Sequence, residues 1–217
     1  MNRFLISLRV RCVGACQLCT LCQIGVLSAK SANCMWTRTT GKSFWKNPHH
    51  WRYFTQMQNV CIQKAHYKQE KSYSCVPASV RMMLAFYGIS RTESYLTRIL
   101  KTKFYGTNVY NIKYIENERI GLKVRIRLFS LDELKQILSQ NQPCIVPLRT
   151  KYLSYFPYDC IHTLVVVGYD DAGNILVNDP YFDKDIISIK KSEFIRAWAE
   201  TDGLVILIEK DSDVIYP

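Results

Sequence analysis

The chain has 217 residues, 48% of them hydrophobic, nine cysteines and a formal net charge of +11. That length admits one large domain or two small ones, and the hydrophobic share is enough for a sizeable core. The charge is concentrated in one part of the chain. The first 69 residues hold ten Lys/Arg and no Asp or Glu, whereas the rest holds nineteen basic against eighteen acidic residues. The body is therefore close to neutral and carries no basic stripe of the kind phosphate recognition needs, which excludes a nucleic-acid reading drawn from total charge.

In chain order, Arg3, Arg9 and Arg11 precede an uncharged run from Cys12 to Ala29 that is barely long enough to span a bilayer. It reads as a leader that exports the chain or associates it with a membrane. Val13-Gly14-Ala15-Cys16 also imitates a lipoprotein cleavage site, with Arg11 too close for one. Cys12, Cys16, Cys19 and Cys22 form a CxxxCxxCxxC cluster, but this spacing is irregular for zinc pairs and lacks the fourth partner pattern of an iron–sulfur motif, so no metal is assigned. Residues 33–60 have no clear period and read as linker. The plainest alternative is a translation start at Met35 or Met57; a start at Met57 implies a cytoplasmic protein. The expected organisation is a basic, Cys-rich prefix over residues 1–60 and one domain over 61–217.

The domain opens with Ser72-Tyr73-Ser74 running into Cys75, then Pro77 in the first turn of a predicted helix, where a missing N–H costs nothing. Val80, Met83, Leu84 and Tyr87 fall at helical spacing, and Gly88 ends the run. The Cys75 thiol thus sits at a helix N-terminus, where the dipole favours a thiolate. The bland counterpart is a buried structural cysteine. Ser90-Arg91-Thr92-Glu93 reads as a capping box opening a helix to about Leu100, and Val109 to Arg119 as another helical stretch. Lys123 to Leu128 alternates basic and apolar residues, as a strand with one wet face does. Ser130-Leu131-Asp132-Glu133 is a second capping box, starting a helix from Leu131 to Ser139. Strands follow at Cys144–Leu148, His162–Tyr169, Asn174–Asn178 and Ile186–Ile189, then a helix Lys191–Trp198 and a strand Leu204–Ile208. Helices first and strands later is an α+β order with a mostly antiparallel sheet.

The turn Asp170-Asp171-Ala172-Gly173-Asn174 makes the strands on either side antiparallel neighbours. The start of one then lies beside the end of the other, which sets His162 next to Asp179. Alone, His162 reads as a satisfied rim histidine. With a carboxylate beside it and Cys75 in the same chain, the set reads as nucleophile, base and orienter.

Gln69 six positions before Cys75, Pro77-Ala78 and Tyr87-Gly88 in the helix, His162 before an apolar strand, and Asn178-Asp179-Pro180 together resemble the bacteriocin-processing (double-glycine) cysteine peptidases over about residues 64 to 210. The resemblance implies a papain-like fold, with the nucleophile on a helix and the base on the sheet. It implies a cysteine peptidase acting on peptide or protein substrates, with cleavage after small residues such as a Gly-Gly leader end. An export-coupled role would need a transporter on a separate chain. One departure stands out: the family has Asp-Cys-Gly at the nucleophile and this chain has Ser74-Cys75-Val76, which bears on substrate preference.

The expected roles follow from the chemistry. Cys75 attacks a carbonyl and forms an acyl-enzyme, His162 stabilises the thiolate and then protonates the leaving amine, and Asp179 fixes the imidazole. The Cys75 N–H and the Gln69 side-chain amide are the candidate oxyanion donors, each worth about 3 kcal/mol of the barrier. Without the resemblance, Gln69 is equally a solvated loop residue. Asn178 is the alternative orienter. Cys160 reads as cleft wall, Cys144 as core, and Asp170-Asp171 as a solvated turn. Cys75, Cys144 and Cys160 demand no disulfide framework. Two other readings of the same fold stay open: a non-catalytic peptide-binding domain, and acyl transfer or amide hydrolysis on a non-peptide substrate.

Overall fold

In the computed structural model, the residues described are 59–63 and 65–211. The leader, linker, metal-cluster and alternative-start readings of the prefix lie outside the described residues.

A short strand, β1 (Val60–Cys61), precedes helix α1 (Cys75–Phe86) and helix α2 (Glu93–Ile99). A 3-10 helix (Val109–Glu118) leads into β2 (Leu122–Leu128), α3 (Leu131–Ser139) and β3 (Cys144–Arg149). Next come β4 (Ile161–Tyr169), β5 (Ile175–Asn178), β6 (Ile187–Ile189), α4 (Lys191–Ala199) and β7 (Leu204–Lys210). The strands form one antiparallel sheet in the order β2-β7-β3-β4-β5-β6, and β1 adds to the far end of β4. This is the α+β, mostly antiparallel arrangement read from the sequence.

The centre of the sheet is the core. In β3 the residues from Cys144 to Leu148 are all buried, and in β4 so are those from His162 to Gly168. Burial of alternate and intervening positions alike means that both faces of these strands are covered. α1 packs on β4 and β3, and α4 on β3. α1 buries Val76, Val80, Met82, Met83 and Leu84. It ends where Gly88 adopts φ +75°, with Gly88 N–H donating to Ala85 O and Ile89 N–H to Leu84 O. That pair of bonds is a Schellman stop, which a residue with a Cβ would strain.

One local reading needs correction. The box expected at Ser90–Glu93 does not form: the N-cap of α2 is Thr92, whose side chain accepts from Tyr95 N–H. Glu93 is 1% exposed, and its carboxylate points at the segment before α1 rather than back at its own helix. The helical stretch read from Val109 is a 3-10 helix, in keeping with its buried Ile112 and Ile115, three residues apart. β1 is two residues long and carried no readable alternation. The second box, Ser130 with Glu133, forms with both of its reciprocal bonds.

Candidate active site

Cys75 is the first residue of α1, and Ser74 before it is the N-cap. His162 is the second residue of β4, opposite Leu148 of β3. Asp179 follows the last residue of β5, Asn178, which pairs with Val165. The hairpin between β4 and β5 therefore returns the chain to the mouth of β4, and the contact of α1 with β4 brings Cys75 there too. Three of the four expected residues converge at this point.

His162 Nε2 donates to Asp179 Oδ1 at 2.7 Å, with both side chains buried. Asp179 is held from two further directions. Tyr155 donates its hydroxyl to Oδ2 at 2.8 Å, and Tyr181 N–H donates to Oδ1 at 2.9 Å. A buried carboxylate with all these donors is a fixed acceptor, and it sets the ring with Nε2–H toward Asp179. The other ring nitrogen is left for the thiol, and each of the two groups shifts the pKa of the other. Phe156 covers the imidazole at 4.9 Å between ring centroids, and Tyr181 meets it edge-on at 6.5 Å. These rings shield the pair from water, which strengthens the electrostatics between them.

Burial pushes the Cys75 thiol up, but the hydrogen bond and charge of His162, with bonds from Thr163, more than offset it, so its pKa falls below that of an ordinary thiol. Burial pulls His162 down, while the hydrogen bonds and charges of Asp179 and Cys75 raise it to about 9. The two shifts favour the same state, a thiolate beside an imidazolium. Cys160 behaves in the opposite way. Burial raises its thiol, and its sulfur is 3.6 Å from Thr150 Oγ1.

Gln69 is placed differently. Its backbone N–H donates to Pro180 O at 2.7 Å, which ties it to the segment after Asp179. Its side-chain amide donates to Lys71 O at 2.7 Å, while its Oε1 is buried without a hydrogen-bond partner. One of its two amide hydrogens is thus engaged within its own loop. Asn178 is buried with its Oδ1 unpartnered, and the carboxylate meeting His162 is that of Asp179. Asp170 is a turn residue that accepts from Asn174, and Cys144 lies in the core.

Cys75, Val76 and Thr163 line a cleft of about 520 Å³ together with Tyr105, Val109 and Thr201. Val76 stands in the wall at the position where the resemblance calls for glycine. Gln69 borders a separate hollow of about 380 Å³ with Lys68, Tyr181 and Phe182. Among the described residues, no group of three His, Cys, Asp or Glu side chains is placed to hold a metal ion, and no helix is long and apolar enough to cross a membrane.

Sequence reasoning missed Tyr155, Phe156 and Thr163. The density of aromatic residues from Tyr152 to Tyr158, just before His162, was the one available signal.

Residues 51–206 match the sequence model of the Peptidase_C39 like family. An uncharacterized protein of Methanothermobacter thermautotrophicus is 26% identical over 146 residues, covering 67% of this chain and 88% of that one. Among solved structures, a double glycine motif protease from an AMS/PCAT transporter, crystallised in complex with the leader peptide, superposes with a TM-score of 0.55 at 21% identity. The alignment covers 71% of this chain and 99% of that one. The peptidase domain of Streptococcus ComA, a bi-functional ABC transporter, gives 0.54 at 21% identity, covering 67% and 97%. A C39-like peptidase chain from Bacillus anthracis gives 0.58 at 15% identity, covering 70% and 98%. Likenesses at this level of identity speak to the fold, and they agree with the sheet and helices described above.

Proposed function

The chain belongs to the Peptidase_C39 like family, and from that membership and the thiol–imidazole pair at its cleft we propose that it hydrolyses peptide bonds through Cys75, His162 and Asp179. The family and fold support peptidase-type function in general. The observation that carries the finer reading is the buried His162–Asp179 bond at 2.7 Å beside a thiol whose pKa is lowered.

On this reading the Cys75 thiolate attacks the scissile carbonyl from the start of α1. The developing oxyanion meets the Cys75 N–H, which is one of the amides that helix geometry leaves unpaired in the first turn. The amide hydrogen of Gln69 not given to Lys71 O is the second donor, after a small side-chain rotation. His162 passes its proton to the leaving amine and then takes one from the water that hydrolyses the thioester. Asp179, fixed by Tyr155 and the Tyr181 N–H, keeps the ring aligned in both steps.

The substrate class is a peptide, and the neighbour crystallised with a leader peptide supports cleavage at a leader end after small residues. Val76 in the cleft wall narrows the choice on the acyl side. An export transporter on another chain is the matching partner, and residues 61–217 form the peptidase domain. Iodoacetamide alkylation of the full chain near pH 6 tests the thiol. Wild type should react far faster than a free thiol, Cys75→Ala should lose that fast phase, and His162→Ala should slow it by at least tenfold. An ordinary rate in wild type, insensitive to His162, defeats the proposal. A peptide-library cleavage screen then reads the substrate.

A further inference from the structure

Ser74 occupies the N-cap of α1, yet it does not cap the helix. Its side chain makes no cap bond, and its backbone lies at φ −107°, ψ 27°, away from the extended geometry of a capping serine. A capping hydroxyl would accept from the amide two or three positions on. The third position is Pro77, which has no N–H, so Val76 N–H is the one amide it would cover. Instead the Ser74 hydroxyl turns back, lying 2.8 Å from Lys71 O and 2.5 Å from Glu93 Oε1. The same Glu93 oxygen accepts the Glu70 N–H at 2.8 Å. Glu93 therefore grips both ends of the loop between Gln69 and Cys75, from the start of another helix and with 1% exposure. Burial raises its pKa, which fits a carboxylate whose second oxygen has no partner.

We infer that Glu93 is a positioning residue for the oxyanion site: by holding Ser74 away from α1 it keeps the first-turn amide of Val76 open to a substrate oxygen, and by holding the Glu70 N–H it fixes the loop that carries the Gln69 donor. This rests on the thiol chemistry proposed above, and deepens it by assigning the feature that keeps the helix mouth free. Glu93 touches no reacting atom. It acts through Ser74 and through the position of the loop that carries Gln69.

Two reactions of Cys75 separate this role from a merely structural one. Alkylation by iodoacetamide is a displacement at carbon, and creates no oxyanion. Acylation by p-nitrophenyl acetate forms a thioester at Cys75 and expels p-nitrophenolate through a tetrahedral oxyanion. In the full chain, Glu93→Ala should slow the p-nitrophenolate burst at least tenfold relative to wild type while alkylation stays within twofold. Glu93→Gln keeps an acceptor oxygen for Glu70 N–H and the Ser74 hydroxyl, and should restore the burst to within about threefold of wild type. If Glu93→Ala does not fold, Glu93→Asp carries the same comparison, because the shorter carboxylate cannot reach both partners. Parallel loss of both reactions, a wild-type burst in Glu93→Ala, or a Glu93→Gln as slow as Glu93→Ala would each overturn the inference. A wild-type Cys75 that alkylates like a free thiol removes the proposed function and this inference with it. Normal wild-type alkylation with an unselective Glu93 effect defeats this inference alone.

Discussion

Tyr155 donates its hydroxyl to the Asp179 oxygen that His162 does not use, so the carboxylate is gripped on both sides. Burial and the Asp179 charge raise the Tyr155 pKa, so the phenol stays a donor at all working pH values. Tyr155→Phe removes only the hydroxyl and leaves Asp179 Oδ2 buried and unpaired. Stability should fall by about 1–3 kcal/mol, the usual cost of an orphaned buried acceptor. Urea denaturation measures it, and an unchanged midpoint would show that this bond contributes nothing.

Asp179→Asn should lower the His162 pKa below about 9, because the hydrogen bond and charge of Asp179 are among the causes that raise it. Cys75→Ala should move it in the same direction by removing the thiolate. NMR titration of the imidazole reads both variants. A histidine still titrating near 9 in each would mean that its partners are not these two groups.

Turnover should follow a bell in pH whose basic limb lies near 9, where His162 loses the proton it gives to the leaving amine. Alkylation needs only the thiolate, so its rate should rise through the lowered Cys75 pKa and show no fall at 9. Folding carries a related signature. The folded-state pKa of His162 is raised above its ordinary 6.5, so its contribution to stability is full below 6.5 and is lost as pH rises through about 9. The His162→Ala variant should lack that part of the pH dependence in thermal denaturation.

Gly168 lies at an irregularity between β4 and β5, and a Cβ there would sit 1.8 Å from Val60 O. Gly168→Ala must push β1 away from β4, at a cost of about 1–3 kcal/mol. Differential scanning calorimetry should show a lower Tm while Cys75 alkylation stays at the wild-type rate, since β1 joins the end of β4 away from His162. A Tm equal to wild type would contradict the close approach.

The parts of the site set by short-range pattern were readable from residues alone. Pro77 and Gly88 bracket a helix whose first residue is Cys75, and a five-residue turn returns Asp179 to His162. The supports came from elsewhere in the chain. Tyr155 reaches Asp179 across 24 positions of sequence and Glu93 reaches Ser74 across 19, with no periodicity linking either pair. Glu93 also satisfied a local rule, three residues after a serine, so its buried partner stayed hidden behind a plausible cap. Gln69 sat at the expected spacing, but the competition of Lys71 O for its amide is a matter of loop conformation that spacing does not encode.

α1 supplies the sulfur and β4 the imidazole, 87 positions apart in sequence, and only the packing of that helix on the sheet brings them together. In an unfolded chain Cys75 is an ordinary thiol with no acidic advantage. Its chemical reactivity is therefore a built-in gauge of tertiary structure.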